Sequence, residues 1–256
     1  MYAEERQQAI VELALQADRV VVAELAERFE VTTETIRRDL EALDRRGILR
    51  RVHGGAVVPE RLSLVESALA DREPSFAAQK QRIAQAALAY LPPAAGSSVI
   101  LDAGTTVGRV AALLQPGAVS TVITNSVPAA GLLAAVDGIA VHLLGGRVRG
   151  LTQACVGAEA VARLATLRCD VAFLGANGVT TRHGLSTPDQ DEAAVKCAMV
   201  GAAARVVVLV DSSKIGSELL VSFAPLEDVD VLVTDSGIST ANRATFEGAG
   251  IEVVIA

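Results

Sequence analysis

The chain has 256 residues, which is comfortable for two domains, and 51% of them are hydrophobic, so wholesale disorder is excluded. Aromatic residues make up only 3% and Trp is absent, so the core must be built from Val, Leu, Ala and Ile, which suits parallel strands covered by helices. No apolar run reaches the roughly 18 residues of a membrane span, and the polar start MYAEERQQAI is not a secretory signal. Three scattered Cys without a CxxC pair argue against a disulfide framework or a zinc site and indicate a reducing cytosol.

The charge is distributed unevenly along the chain. A net charge of −7 by itself argues against binding to nucleic acid. However, residues 35–58 carry six Arg and three acidic residues, whereas the chain from Val58 onward carries 14 basic and 19 acidic residues. A small basic patch on an otherwise acidic chain indicates one surface with a negatively charged partner.

The first 57 residues have the pattern of a compact unit. Apolar spacing predicts three helices, at residues 4–17, residues 23–29 and from Thr32 or Thr33 to about Arg46. Gly47 is suited to end the third helix. The segment ILRRVHGGAVV that follows alternates apolar and polar residues around Gly-Gly, which predicts a short β-hairpin.

The third helix carries Arg residues on the face that the core does not use. At 100° per residue, Arg38 and Arg45 point away from its apolar stripe and Arg37 flanks them. Such donors suit a helix that enters a DNA major groove. The alternative is a solvated helix with ion pairs such as Glu34–Arg38. The three helices and the basic hairpin together favour a winged helix-turn-helix, with DNA contacts predicted at Thr33, Thr35, Arg37, Arg38, Arg50, Arg51 and His53.

The remainder of the chain predicts an α/β domain. Residues 58–78 have the composition of a linker, and a helix is expected over 79–90 before Pro92-Pro93. From Ser97 strands and helices alternate, which indicates an open and mostly parallel sheet. The seven predicted strands are 98–102, 119–124, 139–144, 170–175, 205–211, 230–235 and 251–256. The predicted organisation is therefore a DNA-binding domain over 1–57, a linker over 58–78 and an α/β domain over 79–256.

The loop DAGTTVGRV has the features of a phosphate-binding turn. A strand ends at Asp102, Gly104 frees the backbone, and Thr105 and Thr106 open a helix, so N–H groups and hydroxyls can converge on an anion. It is not a Walker loop, because no Gly-Lys-Ser/Thr follows. Simple helix capping is the alternative. The polar strand ends TNS and GGR favour a shared pocket, because the carboxyl ends of parallel strands meet at one edge of the sheet.

Several dispersed charged residues are candidates for the same pocket. Asp102, Glu192, Lys196, Asp211 and Lys214 combine carboxylates and ammonium groups that are able to move protons beside a sugar carbonyl. Glu192 and Lys196 are four residues apart, so a surface ion pair on one helix is the alternative for them. Lys214 directly follows a strand end, which favours a place in the pocket.

The three His residues form no metal-like cluster, so no metal site is expected. His142 lies inside an apolar strand and is predicted to be in the core. His183 lies in the polar loop TTRHG, where solvation explains it.

Both halves of the chain resemble the deoxyribose-operon repressor (DeoR) family of bacterial sugar-metabolism regulators. The N-terminal motifs are AELAERFEVTTETIRRDLEAL and GILRRVHGGA, with Thr32 where the family usually has Ser. The second half resembles the family's sensor domain in LDAGTT, VITNS, LLGGR, DVAFLGANGV, GLSTP and VDSSK, and the match covers about residues 3–256. The start MYAEERQ is most similar to actinobacterial regulators of fructose-phosphate operons.

The resemblance implies a sensor domain similar in fold to ribose-5-phosphate isomerase. The proton-moving carboxylates of those enzymes lie in a Gly-Ala-Asp-Glu stretch, whereas this chain has Gly175-Ala176-Asn177-Gly178. Asn cannot serve as a general base, so the resemblance implies a pocket that binds a sugar phosphate without turnover and has no catalytic residue. The implied ligand contacts are Asp102, Gly104, Thr105, Thr106, Thr124, Asn125, Gly146, Arg147, Glu192, Lys196 and Lys214.

The sequence thus predicts a cytoplasmic transcriptional regulator, a repressor of a sugar-catabolism operon that a sugar phosphate releases from operator DNA. Fructose 1-phosphate is the favoured effector, and no cofactor, metal or membrane partner is expected. A homo-oligomer, dimer or tetramer, is needed to grip repeated half-sites. Two alternatives remain at this point: a sugar-phosphate isomerase-like enzyme with an appended DNA-binding domain, and a structural DNA binder with a degenerate pocket.

Overall fold

The computed structural model describes residues 3–17, 19–45, 48–52, 54–57, 68–93 and 96–256. The chain divides into two compact units, Met1–Val65 and Glu66–Ala256. Within the described ranges, no helix is long and apolar enough to cross a membrane.

The N-terminal unit combines three helices with a small antiparallel sheet, as the sequence predicts for a winged helix-turn-helix. Its elements are α1 (Ala3–Ala17), β1 (Arg19–Val21), α2 (Val22–Arg28), α3 (Thr33–Arg45), β2 (Arg50–Val52) and β3 (Gly55–Val57). The hairpin β2–β3 is the wing, and β1 adds to the free side of β3, so the strand order is β1-β3-β2.

Helix α3 is fixed at its start and along its inner face. Thr32 caps it, because its Oγ1 accepts the N–H of Thr35 at 3.2 Å. Its apolar stripe of Ile36, Leu40 and Leu43 is buried, as predicted. The predicted end of this helix at Arg46 and Gly47 lies outside the described residues.

A buried ion pair joins α1 to the inner face of α3. Asp39 Oδ2 accepts from Arg6 Nε at 2.6 Å, and both side chains are buried. One carboxylate of the basic segment is therefore used inside the unit and does not offset its outward-facing Arg residues.

The C-terminal unit alternates strands and helices in the order the sequence predicts. Its elements are α4 (Leu69–Arg72), α5 (Ala77–Ala87), β4 (Ser98–Leu101), α6 (Thr105–Leu113), β5 (Thr121–Thr124), α7 (Val127–Leu133), β6 (Ala140–Leu143), β7 (Arg147–Arg149), β8 (Ala154–Val156), α8 (Ala158–Ala165), β9 (Cys169–Leu174), β10 (Gly178–Thr180), β11 (Gly184–Thr187), α9 (Gln190–Ala202), β12 (Ala203–Leu209), β13 (Val221–Ala224), β14 (Val231–Thr234), α10 (Thr240–Gly248) and β15 (Glu252–Ile255). Short 3₁₀ turns lie at Leu88–Tyr90, Ser212–Lys214 and Leu226–Asp228.

Seven of these strands form one sheet in the order β15-β14-β12-β9-β4-β5-β6, and every neighbouring pair is parallel. The prediction of an open parallel sheet is confirmed. Two small antiparallel sheets, β7–β8 and β10-β11-β13, were not predicted. Their strands have three or four residues each, too few for alternation of apolar and polar residues to be recognised.

Helices cover both faces of the large sheet. The side chains of α5, α6 and α7 pack on one face and those of α8, α9 and α10 on the other. The central strand β4 serves both layers, since Val99 and Leu101 face the first and Ile100 faces the second. Burial on both faces explains why the strands are continuous Val-, Ile- and Leu-rich runs.

The prediction that His142 lies in the core is wrong, because its side chain is exposed. It belongs to β6, the edge strand of the sheet, where Leu143 is also 47% exposed. An apolar strand pattern does not by itself distinguish a central strand from an edge strand whose outer side is left uncovered.

The range 58–78, predicted as a linker, includes structured residues near its end. The short helix α4 lies within it, and α5 begins at Ala77. Residues 58–67 lie outside the described part of the chain.

Candidate functional site

The outer face of α3 presents Arg side chains to solvent. The side chains of Arg37 and Arg38 are 57% and 77% exposed. Both lie 3.7 Å from Glu34 carboxylate oxygens, so the intrahelical ion pairs of the alternative interpretation do form. Exposed pairs of this kind contribute only about 0.3–0.5 kcal/mol, so they leave both guanidinium groups available to a phosphate or a base.

Helix α3 and the wing enclose a concave surface of about 300 Å³. Its lining residues are Val22, Arg37, Leu40, Arg51, Val52, Gly54 and Gly55. The structure therefore brings Arg37 of the helix and Arg51 of the wing to one cleft. Arg51 is further placed by its backbone N–H, which donates to Asp44 Oδ1 at 3.0 Å.

The remaining predicted DNA contacts are Thr33, Thr35, Arg50 and His53. Thr33 is exposed in the first turn of α3, whereas the Thr35 hydroxyl lies 2.9 Å from that of Thr32 and takes part in the cap. Arg50 lies in β2, but its side chain is outside the description, and His53 lies outside the described residues altogether.

In the C-terminal unit the polar strand ends meet at one edge of the sheet. Asp102 follows β4, and Asn125 and Gly175 follow the two strands beside it, β5 and β9. Asp211 follows the next strand, β12. Ligands of open α/β sheets bind at this carboxyl edge, where the loops leave the sheet.

A buried ion pair lies at the centre of that edge. Asp102 is 1% exposed and Lys196 of α9 is 5% exposed, and Lys196 Nζ donates to Asp102 Oδ2 and, at 2.9 Å, to the carbonyl of Gly175. The N–H of Gly175 also donates to Asp102 Oδ2, at 3.0 Å. Burial raises the pKa of Asp102, and the adjacent Lys196 ammonium opposes that rise. The surface-pair alternative for Lys196 is wrong, because its partner is across the sheet edge and not on its own helix.

The two oxygens of the Asp102 carboxylate differ in their hydrogen bonding. Asp102 Oδ1 is buried and has no hydrogen-bond partner among the described residues. A buried carboxylate oxygen without a donor costs free energy, so this oxygen marks Asp102 as a candidate functional group.

Helix α6 begins immediately beside this group. Gly104 is its N-cap, with φ 152°, and this residue provides no side-chain cap. The first N–H groups of the helix, with the hydroxyl-bearing side chains of Thr105 and Thr106, are thus left for an anion. Thr106 is buried and Thr105 is half-buried.

Thr124 and Asn125 hold the neighbouring loops in place. Thr124 is fully buried, donating to the carbonyl of Leu101 at 2.6 Å and accepting the N–H of Ser126 at 3.0 Å. Asn125 Oδ1 accepts the N–H of Ala103 at 2.8 Å. The geometry assigns both side chains a positioning role.

Glu192 lies on the same side of the pocket as Asp102. It is 6% exposed, and its Oε1 accepts from Thr152 and, at 3.3 Å, from Arg149. Its negative charge is close enough to contribute to the raised pKa of Asp102. Glu192 and Lys196, predicted as neighbours, therefore belong to one buried cluster but bond to different partners.

Lys214 lies with a group that the sequence did not indicate. Lys80 of α5 is 4% exposed, and its Nζ donates to the carbonyl of Arg72 at 2.5 Å. Burial lowers the pKa of Lys80 to about 8, with Asp211 opposing the fall and Lys214 adding to it. The lining of this side of the sheet edge thus contains two ammonium groups and one buried carboxylate.

Strand β7, which follows Gly146, carries two Arg side chains in different surroundings. Arg147 is 63% exposed and pairs with the exposed Asp191 at 2.5 Å, whereas Arg149 is only 17% exposed and reaches Asp189 at 3.0 Å as well as Glu192. Gly146, with φ 110°, is required by packing, because a Cβ there would lie 2.5 Å from the carbonyl of Val156.

Packing also restricts Asn177 and Gly178, the two residues that stand where the resembled enzymes carry Asp and Glu. The N–H of Asn177 donates to the carbonyl of Ser186 at 3.0 Å. A Cβ on Gly178 would lie 2.3 Å from the carbonyl of Ser217 and 2.6 Å from Leu219. No side chain, and hence no carboxylate, fits at position 178 in this backbone.

Two kinds of functional residue were missed by sequence reasoning. Lys80 stands inside an ordinary helical pattern, and Arg149 and Thr152 follow the more conspicuous GGR. Only the unusual presence of a Lys on the buried face of α5 offered a signal for the first. Among the described residues, no group of His, Cys, Asp or Glu is arranged to hold a metal ion.

Both units of the chain match known protein families. Residues 6–61 match the DeoR-like helix-turn-helix domain, and residues 75–236 match the DeoR C-terminal sensor domain. The transcriptional regulator GlpR of Haloferax volcanii is 37% identical over 98% of this chain and 96% of its own length. The glycerol-3-phosphate regulon repressor of Escherichia coli is 31% identical over 91% of this chain and 90% of its own.

A solved structure of ribose 5-phosphate isomerase A from Neisseria gonorrhoeae aligns with the fold over part of its length. It covers 54% of this chain and 53% of its own, with 17% identity and a TM-score of 0.38. A match at this level carries no argument about activity.

The depressed pKa of Lys80 predicts how stability depends on pH. Because the folded chain releases this proton near pH 8 and the unfolded chain near 10.5, the unfolded state binds more protons between these values, and stability from this group rises with pH there. In Lys80→Met the contribution disappears, so urea unfolding of the C-terminal unit should show a smaller gain, or a larger loss, between pH 8 and 10.5 than in wild type. Arg82→Met, on the exposed face of the same helix, is the control and should follow wild type; parallel profiles for Lys80→Met and wild type would contradict the assignment.

Proposed function

Because the chain belongs to the DeoR family of transcriptional regulators, we propose that it represses a sugar-catabolism operon and leaves its operator when a sugar phosphate binds the C-terminal unit. The observation that carries the proposal is the unsatisfied Oδ1 of buried Asp102, which lies next to the uncapped start of α6. A phosphorylated sugar would satisfy both, with a hydroxyl that donates to Oδ1 and a phosphate that accepts from the N–H groups at the start of α6.

The pocket offers two chemically different ends. Asp102, Glu192 and Lys196 supply carboxylate acceptors and an ammonium donor for sugar hydroxyls. Gly104–Thr106 and the Lys80–Lys214 pair supply N–H groups and positive charge for a phosphate. Binding of a dianion beside Lys80 also favours its protonated form, which strengthens the charge-assisted contact.

Fructose 1-phosphate is our candidate effector, and free fructose is expected to be inactive. One relative is named for the regulon of a phosphorylated three-carbon compound, which is compatible with a phosphate ester as the ligand. A neutral sugar would forfeit the contacts of the α6 start and of the two Lys side chains. The choice of fructose among phosphorylated sugars rests on the likeness to fructose-operon regulators.

The pocket is proposed to bind its ligand without turnover. Asn177 does not titrate as a general base, and the close approach of Ser217 and Leu219 leaves Gly178 no room for a carboxylate side chain. Release of isomerised sugar phosphate in a reaction that depends on Glu192 or Lys214 would instead favour the isomerase-like alternative. As a DNA-binding regulator the chain is expected to act in the cytoplasm.

The N-terminal unit is proposed to bind operator DNA through α3 and the wing. Arg38 is the most exposed donor on α3, and Arg51 extends from the wing beside Arg37. We assign Arg37 and Arg38 to the operator groove, and Arg50, Arg51 and His53 to the backbone or the minor groove.

The repressor is proposed to be a homo-oligomer whose contact includes the β6 edge. Of the six large apolar residues that are exposed in the described chain, Leu143 lies on β6 and two, Val127 and Leu132, lie on α7, which packs against β6. Between Arg109 and Arg147 the sequence holds one charged residue, Asp137, in a chain of net charge −7. A second copy meets least electrostatic repulsion on such a face, and an edge strand offers it unpaired backbone groups.

Substitution of the two Arg residues should affect DNA binding differently. Arg38→Ala should weaken operator binding by about 1–3 kcal/mol while changing random-sequence binding little, because a base contact is lost. Arg51→Ala should weaken all sequences similarly and lower the salt slope of binding by about 1, because a phosphate contact is lost. Arg182→Ala, an exposed ion-paired residue of the C-terminal unit, is the control. Unchanged operator affinity in the double variant Arg37→Ala/Arg38→Ala contradicts the recognition-helix assignment.

Removal of one hydroxyl at the start of α6 should weaken the effector. Thr106→Val keeps the side-chain shape and deletes one donor, so calorimetric titration with fructose 1-phosphate should give an affinity roughly tenfold lower, corresponding to about 1.5 kcal/mol for a bond to a charged group. Operator binding without effector should be unchanged. Wild-type affinity in Thr106→Val, or equal affinity of wild type for fructose and its phosphate, is the result that this account does not allow.

A charge on the β6 edge should lower the oligomeric state. Leu143→Asp should sediment as a smaller species than wild type, because an unpaired carboxylate would be buried between copies. Leu220→Asp alters an equally exposed Leu elsewhere and should sediment as wild type. A monomeric wild type, or identical masses for wild type and Leu143→Asp, would show that β6 is not the contact.

A further inference from the structure

The hairpin β7–β8 and its turn are hydrogen-bonded both to Glu192 and to the start of helix α4. Its strands, Arg147–Arg149 and Ala154–Val156, are joined by a tight turn in which the carbonyl of Arg149 accepts the N–H groups of Thr152 at 3.3 Å and Gln153 at 2.7 Å. Gln153 has φ 54°, in the left-handed region. These two hydrogen bonds close the turn and restrict its backbone.

The hairpin is bonded to the pocket through side chains. Arg149 donates to Asp189 at 3.0 Å and to Glu192 Oε1 at 3.3 Å, and the Thr152 hydroxyl donates to the same Glu192 oxygen. The hairpin backbone also meets the neighbouring strand end, because the N–H of Cys155 donates to the carbonyl of Asn125 at 2.7 Å. Any ligand that moves Glu192 therefore acts on two donors of the hairpin.

The tip of the hairpin holds helix α4. The carbonyl of Leu151 accepts the N–H of Leu69, the first residue of that helix, at 2.9 Å. The far end of α4 is held from the pocket side as well, because Lys80 Nζ donates to the carbonyl of Arg72. Helix α4 is the first described helix or strand after β3, and the boundary between the two units lies between them in the sequence.

We propose that Arg149 is a positioning residue that links occupation of the pocket to α4, by holding Glu192 on one side and the Leu151 turn on the other. A sugar hydroxyl that binds Glu192 changes the geometry of its contacts with Arg149 and Thr152, and the turn passes that change to the Leu69 N–H. This inference rests on the proposed function, since it names the route by which that effector signal leaves the pocket.

The Leu69 contact can be removed with little other change. Pro has no N–H and is favoured at the first position of a helix. The preceding residue, Ala68, has φ −58° and ψ 156°, an extended conformation that a following Pro requires. Leu69→Pro therefore deletes the bond to Leu151, and Leu69→Ala keeps that bond while shortening the side chain, which makes it the matched control.

The first test uses the full chain, operator DNA and fructose 1-phosphate. Wild type and Leu69→Ala should lose operator affinity together on addition of the ester, whereas Leu69→Pro should bind ester and operator normally but need at least about tenfold more ester for release, within the usual range of allosteric coupling. Release of Leu69→Pro at wild-type concentrations would overturn the inference. Failure of wild type to bind the ester would count against the proposed effector and not against this route.

The second test needs no ligand, so it tests the inference even if the ester does not bind. Arg149→Lys keeps the charge but cannot span Asp189 and Glu192 as the guanidinium does. Loss of the charge-assisted contacts of Arg149 should make opening of the turn and of α4 easier. Hydrogen exchange at the Leu69–Glu73 amides should therefore become faster by about tenfold. Arg182→Lys, an exposed ion-paired control, should leave these amides unchanged. Wild-type exchange at these amides in Arg149→Lys would overturn the inference.

Discussion

The C-terminal unit is organised around one buried ion pair, Asp102 with Lys196, at the carboxyl end of its central strand. Such a pair is weak support for stability, because removal of both charges from water costs several kcal/mol that their attraction must offset. Here the compensation is incomplete, since Asp102 Oδ1 has no donor within the described residues. Under the proposed function, a ligand that completes this hydrogen bonding would offset that cost.

The sheet explains why these groups meet. Because all seven strands are parallel, β4, β9 and β5 deliver their polar ends to the same edge, and α6 starts there with uncapped N–H groups. Helices on opposite faces then supply the cations, with Lys196 from α9 and Lys80 from α5. The two sides of this strand end therefore differ in chemistry, as the proposed binding of a phosphorylated sugar requires.

Much of this was accessible from sequence, for identifiable reasons. The parallel strands are continuous apolar runs followed by polar loops, and the period of the stripe of Ile36, Leu40 and Leu43 predicts α3. What sequence could not provide depends on pairing in space. The edge position of β6 exposes His142, and the short hairpin β7–β8 directs Arg149, not the exposed Arg147, toward Glu192. Lys80 was missed because one Lys in line with the apolar face of α5 is a weak signal, and its partners Arg72 and Asp211 come from other parts of the chain.

The central claim, that a phosphorylated sugar controls DNA binding, is tested most directly by operator affinity with and without the ester. The DNA is a fragment that the protein itself selects from a random pool, and the ligands are fructose 1-phosphate and fructose at equal concentration. The account predicts that the ester lowers operator affinity by about 5–150-fold and that fructose leaves it unchanged. Equal release by the free sugar, or unchanged affinity with the ester bound, would contradict it.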